Sequence, residues 1–113
     1  MKVQQQHWGN HDTFLLISEH GDASVRVSII KDEPTHAYID SLWVAEKDCR
    51  KGIGRTLLEQ AERLAESKGC KFTAQWYSPI FTPKWVLEWY KRNGYMYFGK
   101  DSNGNVLLRK EIN

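Results

Sequence analysis

Gly52 and Gly54 flank a single apolar residue, Ile53, with Arg50 and Lys51 before them and Arg55 behind. Upstream, Leu42-Trp43-Val44 closes an apolar run, and Ala45-Glu46-Lys47-Asp48-Cys49 makes a charged turn. Downstream, Ile53, Leu57, Leu58, Ala61, Leu64 and Ala65 recur at helical spacing, so a helix begins at the glycines. The first N–H groups of a helix have no intrahelical partner, and its dipole is positive there, which suits a phosphate or pyrophosphate. Glycine lets an anion reach those N–H groups without meeting a Cβ. The plainer alternative is that the glycines only bend a strand into a helix. Two familiar phosphate motifs are excluded. Leu57 stands where a dinucleotide fingerprint needs its third glycine, and no Gly-Lys-Ser/Thr follows to make a P-loop.

A second constellation, Trp89-Tyr90-Lys91-Arg92-Asn93-Gly94-Tyr95, puts a phenol among aromatic residues four positions before a glycine. The two segments, in this order and with a helix and a strand between them, resemble the GNAT superfamily of acetyl-CoA-dependent N-acetyltransferases. The first matches the family's Arg/Gln-x-x-Gly-x-Gly/Ala segment and the second its aromatic-Tyr-x-x-x-Gly-Phe/Tyr segment, and the likeness covers roughly residues 13–113.

The resemblance implies acetyl-CoA as co-substrate and a primary amine as acceptor, the amine of a protein or peptide included. It implies a mixed sheet in which the third strand and the strand after the first helix splay apart to admit the pantetheine arm. Backbone groups near Leu42, Trp43 and Val44 would then hold the arm, and Cys49, Arg50, Lys51, Gly52, Ile53, Gly54 and Arg55 the pyrophosphate. Tyr90 would protonate the leaving thiolate; the alternative is that it only packs in an aromatic helix face. Some relatives carry a glutamate base where this chain has Tyr38. Asp40, two residues on and on the same strand face, is a candidate for that role, directly or through a water, with Glu19 and His36 as further candidates, and the sequence assigns the base to none of them. Two departures stand out. Cys49 replaces the leading Arg/Gln, and Pro83 falls where an asparagine often binds pantetheine. They favour a second reading, a catalytically weak CoA-binding or protein-interaction module.

The elements that must position these residues follow from pattern. Thr13–Ser18 and Ala23–Ile29 read as antiparallel strands around His20-Gly21-Asp22, and Ala37–Val44 as a third. A helix over Gly52–Lys68 ends at Gly69, and the strand Lys71–Trp76 reached through it lies parallel to the third. Thr82 as N-cap and Pro83 in the first turn start a second helix that runs to Asn93. Residues 95–98 and 106–109 form a hairpin around 101–105. The fold class is α+β: a GNAT-like, mixed, mostly antiparallel sheet with two main helices and a splayed central strand pair, in a single domain over residues 1–113. Residues 1–12 are too few for the two helices with which family members usually open, so the acceptor side is open or covered by a partner chain.

Composition narrows the classes further. A net charge of +2 without a basic run argues against nucleic acid, and no apolar run approaches the ~20 residues of a bilayer span. Met1-Lys2-Val3-Gln4-Gln5-Gln6 has no signal-peptide core, and Cys49 and Cys70 at opposite helix ends are too far apart to pair, so a cytoplasmic, disulfide-free protein is expected. No metal is expected. Trp76, Tyr77, Phe81, Trp85 and Trp89 gather near one loop, as a homodimer interface or as an apolar acceptor pocket, the interface being preferred.

Overall fold

The computed structural model of the chain describes residues 2–45 and 52–112. Seven strands, β1 (Lys2–Trp8), β2 (His11–Ile17), β3 (Ala23–Ile30), β4 (His36–Val44), β5 (Phe72–Tyr77), β6 (Met96–Lys100) and β7 (Val106–Glu111), form one sheet. Its order is β1-β2-β3-β4-β5-β7-β6. Helix α1 (Ile53–Ser67) joins β4 to β5 and helix α2 (Lys84–Arg92) joins β5 to β6. All neighbours are antiparallel except β4 and β5, the pair linked through a helix.

Register explains the core. Phe14 lies opposite Val27, Val27 opposite Ile39, and Ala37 opposite Thr73, so one face of the sheet presents a continuous row of buried side chains. Helix α1 covers that face with Leu57, Leu58, Ala61 and Ala65, the helical stripe of the sequence. Helix α2 packs beside it. The Tyr90 ring meets Tyr95 edge to face, and the Tyr95 hydroxyl, buried with Thr73, donates to Glu62 of α1 at 2.9 Å. Glu62 in turn accepts from Lys110 Nζ at 3.0 Å, tying α1 to β7. The opposite face carries Tyr38, Phe72, Arg109 and Phe98. There the Arg109 guanidinium lies 4.0 Å over Phe72 and 3.6 Å over Phe98.

One element was not foreseen and one expectation needs correction. The chain opens with a strand, β1, that pairs along its whole length with β2 through a Gly9-Asn10 turn; its described side chains are exposed, so it has no apolar alternation to betray it. Thr82 is not the cap of α2: Pro83 holds that position without a side-chain bond, and the Thr82 carbonyl accepts from the Tyr77 hydroxyl instead.

Candidate functional site

The pairing of β4 with β5 lasts only three residues, His36 to Phe72, Ala37 to Thr73 and Tyr38 to Ala74. Beyond Tyr38 the strands diverge. The cause lies in β4, where Ser41 adopts a left-handed φ of 53° and the register with β3 slips between Ser24 and Arg26. A bulge of this kind bends its strand and re-aims it, here away from β5. β5 stays with β7 through Tyr77, so the gap opens on the β4 side.

The opening forms a cleft of about 680 Å³. Leu42 and Ile39 line one wall, Gln75 and Trp76 the other, and Tyr90 and Val86 of α2 close it. Tyr38, Asp40, Ser28 and His11 lie where the cleft meets the open face of the sheet. The structure thus brings the two assigned catalytic residues, Tyr90 and Asp40, to one cavity.

Their settings differ sharply. Tyr90 is 3% exposed, its ring edge-on to Trp89 at 4.9 Å and to Tyr95 at 5.4 Å. Burial pushes its phenol well above the ordinary value, and the Gln75 side chain pulls weakly the other way. Asp40 is half-exposed and held by Arg26, Nε to Oδ1 at 2.7 Å and Nη2 to Oδ2 at 3.2 Å. Both of its oxygens are thus engaged by one guanidinium. The other candidates lie elsewhere or are occupied. Glu19 lines a separate groove of about 370 Å³ beside the start of α1. His36 stacks on Phe72 at 5.0 Å, and partial burial with Arg109 nearby lowers its pKa. Burial raises the Tyr38 phenol, and Glu33 raises it further, so it stays protonated.

At the other end, Gly52 caps α1 with φ +76°, a conformation that favours glycine, and a Cβ added there would meet nothing within 4 Å. No acidic residue stands in the first turn and no side chain caps it, so the N–H groups of Ile53, Gly54 and Arg55 begin an uncapped helix. That is a surface an anion fits. A Cβ on Gly54 would lie 3.4 Å from Val44, an ordinary contact distance, so α1 starts packed against the end of β4. Arg55 is exposed and pairs with Glu59 at 3.3 Å. Leu42 and Val44 are half-buried and Trp43 is 53% exposed. Cys49, Arg50 and Lys51 lie outside the described residues.

Sequence reasoning missed Gln75. Its neighbours Ala74 and Trp76 face the open side of β5, which leaves this amide on the side of Thr73 and Tyr77, toward α2. A polar residue at that strand parity was the available signal. Of the aromatic group, Tyr77 is buried and Trp89 half-buried, while Phe81 and Trp85 are exposed at 86% and 67%. No helix of the described residues is long and apolar enough to cross a membrane, and among those residues no group of His, Cys, Asp and Glu is placed to hold a metal.

Comparison with known proteins agrees with this geometry. The profile of the acetyltransferase (GNAT) family matches residues 2–95. No curated protein matches the chain by sequence. Among solved structures, an acetyltransferase from Bacillus cereus is 26% identical with TM-score 0.64, the match covering 89% of this chain and 72% of that one. The PaiA N-acetyltransferase from Thermoplasma acidophilum, solved with coenzyme A, is 18% identical with TM-score 0.72, covering 90% and 61%. An aminoglycoside 6'-N-acetyltransferase, also solved with coenzyme A, is 14% identical with TM-score 0.68, covering 93% and 74%. With a matched profile over most of its length, a splayed strand pair and a glycine-capped helix at its end, the chain belongs to the GNAT acetyltransferase family.

Proposed function

We propose that this chain is an acetyl-CoA-dependent N-acetyltransferase of a primary amine, a single domain working in the cytoplasm. One observation carries the reading: the β4–β5 divergence opens a cleft that ends on a buried tyrosine. The edge of β4 released from β5 offers backbone groups to an extended chain, and the uncapped start of α1 offers N–H groups and dipole to a pyrophosphate. Acetyl-CoA supplies the activated acetyl group. The protein's own part is to align it, exclude water and manage two protons. Tyr90 keeps its proton at every physiological pH because burial holds its pKa high, so it can donate to a leaving thiolate. The same shift makes that donation more uphill than the ~1.5-unit gap between a free phenol and a free thiol. Asp40, at the mouth of the cleft, accepts the amine's proton, through a water since Arg26 occupies both its oxygens.

The Arg26–Asp40 pair also favours a second reading, a CoA-binding module with weak turnover, because it leaves the site without an uncommitted carboxylate near Tyr90. Melting with and without acetyl-CoA, followed by an amine screen, separates the two. The Arg55→Glu variant is the control: at the third helical position an acid suits the dipole, which offsets the lost pair with Glu59, while a pyrophosphate is repelled. A thermal shift in the wild type that shrinks in Arg55→Glu supports CoA binding at α1. Acetyl transfer that collapses in Tyr90→Phe supports the enzyme, and CoA binding without turnover supports the module.

A further inference from the structure

Four consecutive strands of the sheet, β4, β5, β7 and β6, each give one side chain to a single stack on the open face. His36 lies on Phe72 at 5.0 Å, and the Arg109 guanidinium is held between Phe72 at 4.0 Å and Phe98 at 3.6 Å. The strand spacing of ~4.8 Å sets this arrangement. Stacking occupies the faces of the guanidinium and leaves its N–H edge. Among the described residues no carboxylate pairs with that edge. Glu111, two residues along β7 on the same face, and Glu33, which interacts with Tyr38, both stop short of it. Arg109 is half-buried and permanently charged, and the aromatic rims beside it carry the positive end of the ring quadrupole. Plain solvation accounts for an arginine on a mobile stem. It does not account for one whose plane is fixed between two rings at a cost in side-chain entropy.

The stack starts beside the cleft. Tyr38, two residues from His36 on β4 and 6.2 Å from it ring to ring, lines the mouth where Asp40 stands. Tyr38 pairs with Ala74 and Ala74 with Arg109, so Arg109 is two strand spacings, ~10 Å, from the β4 side of the cleft.

We propose that Arg109 holds a carboxylate of the acceptor, so that the amine substrate carries an acid group about 10 Å from its nitrogen, as a short peptide with a free C-terminus does. The proposal rests on the N-acetyltransferase reading and names its substrate class. One guanidinium matches one monovalent carboxylate. A phosphate dianion would call for a second cation, but Lys110, the next residue, is committed to Glu62, and burial with Arg109 nearby holds His36 toward its neutral form. The same charge disfavours polyamines and other polycations, which would bring a second positive group onto the stack.

Triglycine and its C-terminal amide test it. They share the amine and a backbone of ~10 Å when extended, and differ in the carboxylate. NMR titration follows the Arg109 Nε–H signal in the wild type and compares two variants. Arg109→Leu keeps apolar contact with both rings, and Arg63→Leu removes one charge from the exposed face of α1. The expected result is a triglycine-induced shift of the Arg109 Nε–H signal, with triglycine bound about tenfold or more tightly than the amide in the wild type and in Arg63→Leu. The two peptides should bind alike in Arg109→Leu. Equal affinity in the wild type, or no binding of either peptide, overturns the assignment without recourse to a variant. So does a preference that survives in Arg109→Leu, or a titration that leaves the Nε–H signal in place. Acetyl transfer to the two peptides is measured alongside, with kcat/KM expected to favour triglycine in the same proportion. Carboxylate-dependent binding without transfer removes the transferase reading and keeps the anion site. Transfer that ignores the carboxylate keeps the transferase reading and overturns the role of Arg109 in it.

Discussion

The indole of Trp89 lies 3.6 Å from the point that a Cβ on Gly54 would occupy, with Val44 Cγ2 at 3.4 Å. These are ordinary contact distances, so one methyl fits and a larger side chain does not. Gly54→Ala should keep the fold and gain up to about 1 kcal/mol from helix propensity. Gly54→Leu should lose roughly 1–3 kcal/mol by overfilling the junction of β4, α1 and α2. Urea denaturation of the two variants reads the difference. Equal stabilities would mean that the junction is looser than these distances imply.

Gly52 presents the reverse case. It has open space but a φ of +76°, where a Cβ is penalised whatever surrounds it. Gly52→Ala should cost about 1–2 kcal/mol, and Gly52→Asn less, since asparagine tolerates the left-handed region better. Thermal melting of the pair checks this order. The same strain makes acidic substitutions at Gly52 poor probes of phosphate binding, because lost fold would be confused with lost ligand.

Tyr90→Phe isolates one hydroxyl. The ring contacts to Trp89 and Tyr95 survive the change, so stability should move little. If Tyr90 is the proton donor, kcat should fall by about 10²–10⁴-fold with the KM for acetyl-CoA nearly constant. Because burial raises the phenol's pKa, the wild-type rate should show no alkaline decline from this group up to about pH 10, its ordinary range. A decline below that pH which vanishes in Tyr90→Phe would contradict the burial-based shift.

His36 supplies a pH dependence of stability. Partial burial, then Arg109, lowers its folded pKa below the ordinary 6.5, with Glu33 opposing. The unfolded chain therefore binds the proton more readily in the window beneath 6.5. Stability is full above that value and declines as pH falls through it toward the folded pKa. Urea midpoints at about pH 7.5 and about pH 5.5 should differ less in His36→Gln than in the wild type. An unchanged difference would assign the dependence to other groups.

Legibility in the sequence followed how local the cause was. The α1 stripe, the glycine start and the Gly69 stop are short-range signals, and they placed α1 within one residue at each end. The parallel β4–β5 pair followed from the helical crossover. β1 was hidden because residues 2–7, Val3 apart, are polar and exposed, as in an edge strand, and only pairing with β2 makes it a strand. Asp40 and Tyr90 were named from motif position, but that they share a cavity depends on the bulge at Ser41, which no composition rule marks at a serine. Gln75 was invisible for a related reason: whether a strand glutamine is solvated or walled in depends on what a helix eight or more residues later sets against it.

The three-pair contact between β4 and β5 also has a mechanical meaning. It divides the sheet into two stiff wings, β1 to β4 on one side and β5, β7 and β6 on the other, stitched by a seam far shorter than any hairpin beside it. Bending at that seam strains three residue pairs and leaves every antiparallel ladder intact. Helix α1, which packs across β3, β4 and β5, is the splint that spans the seam. The separation of the wings is thus a soft coordinate of an otherwise rigid body, and a molecule wedged between them sets the angle at which the two halves rest.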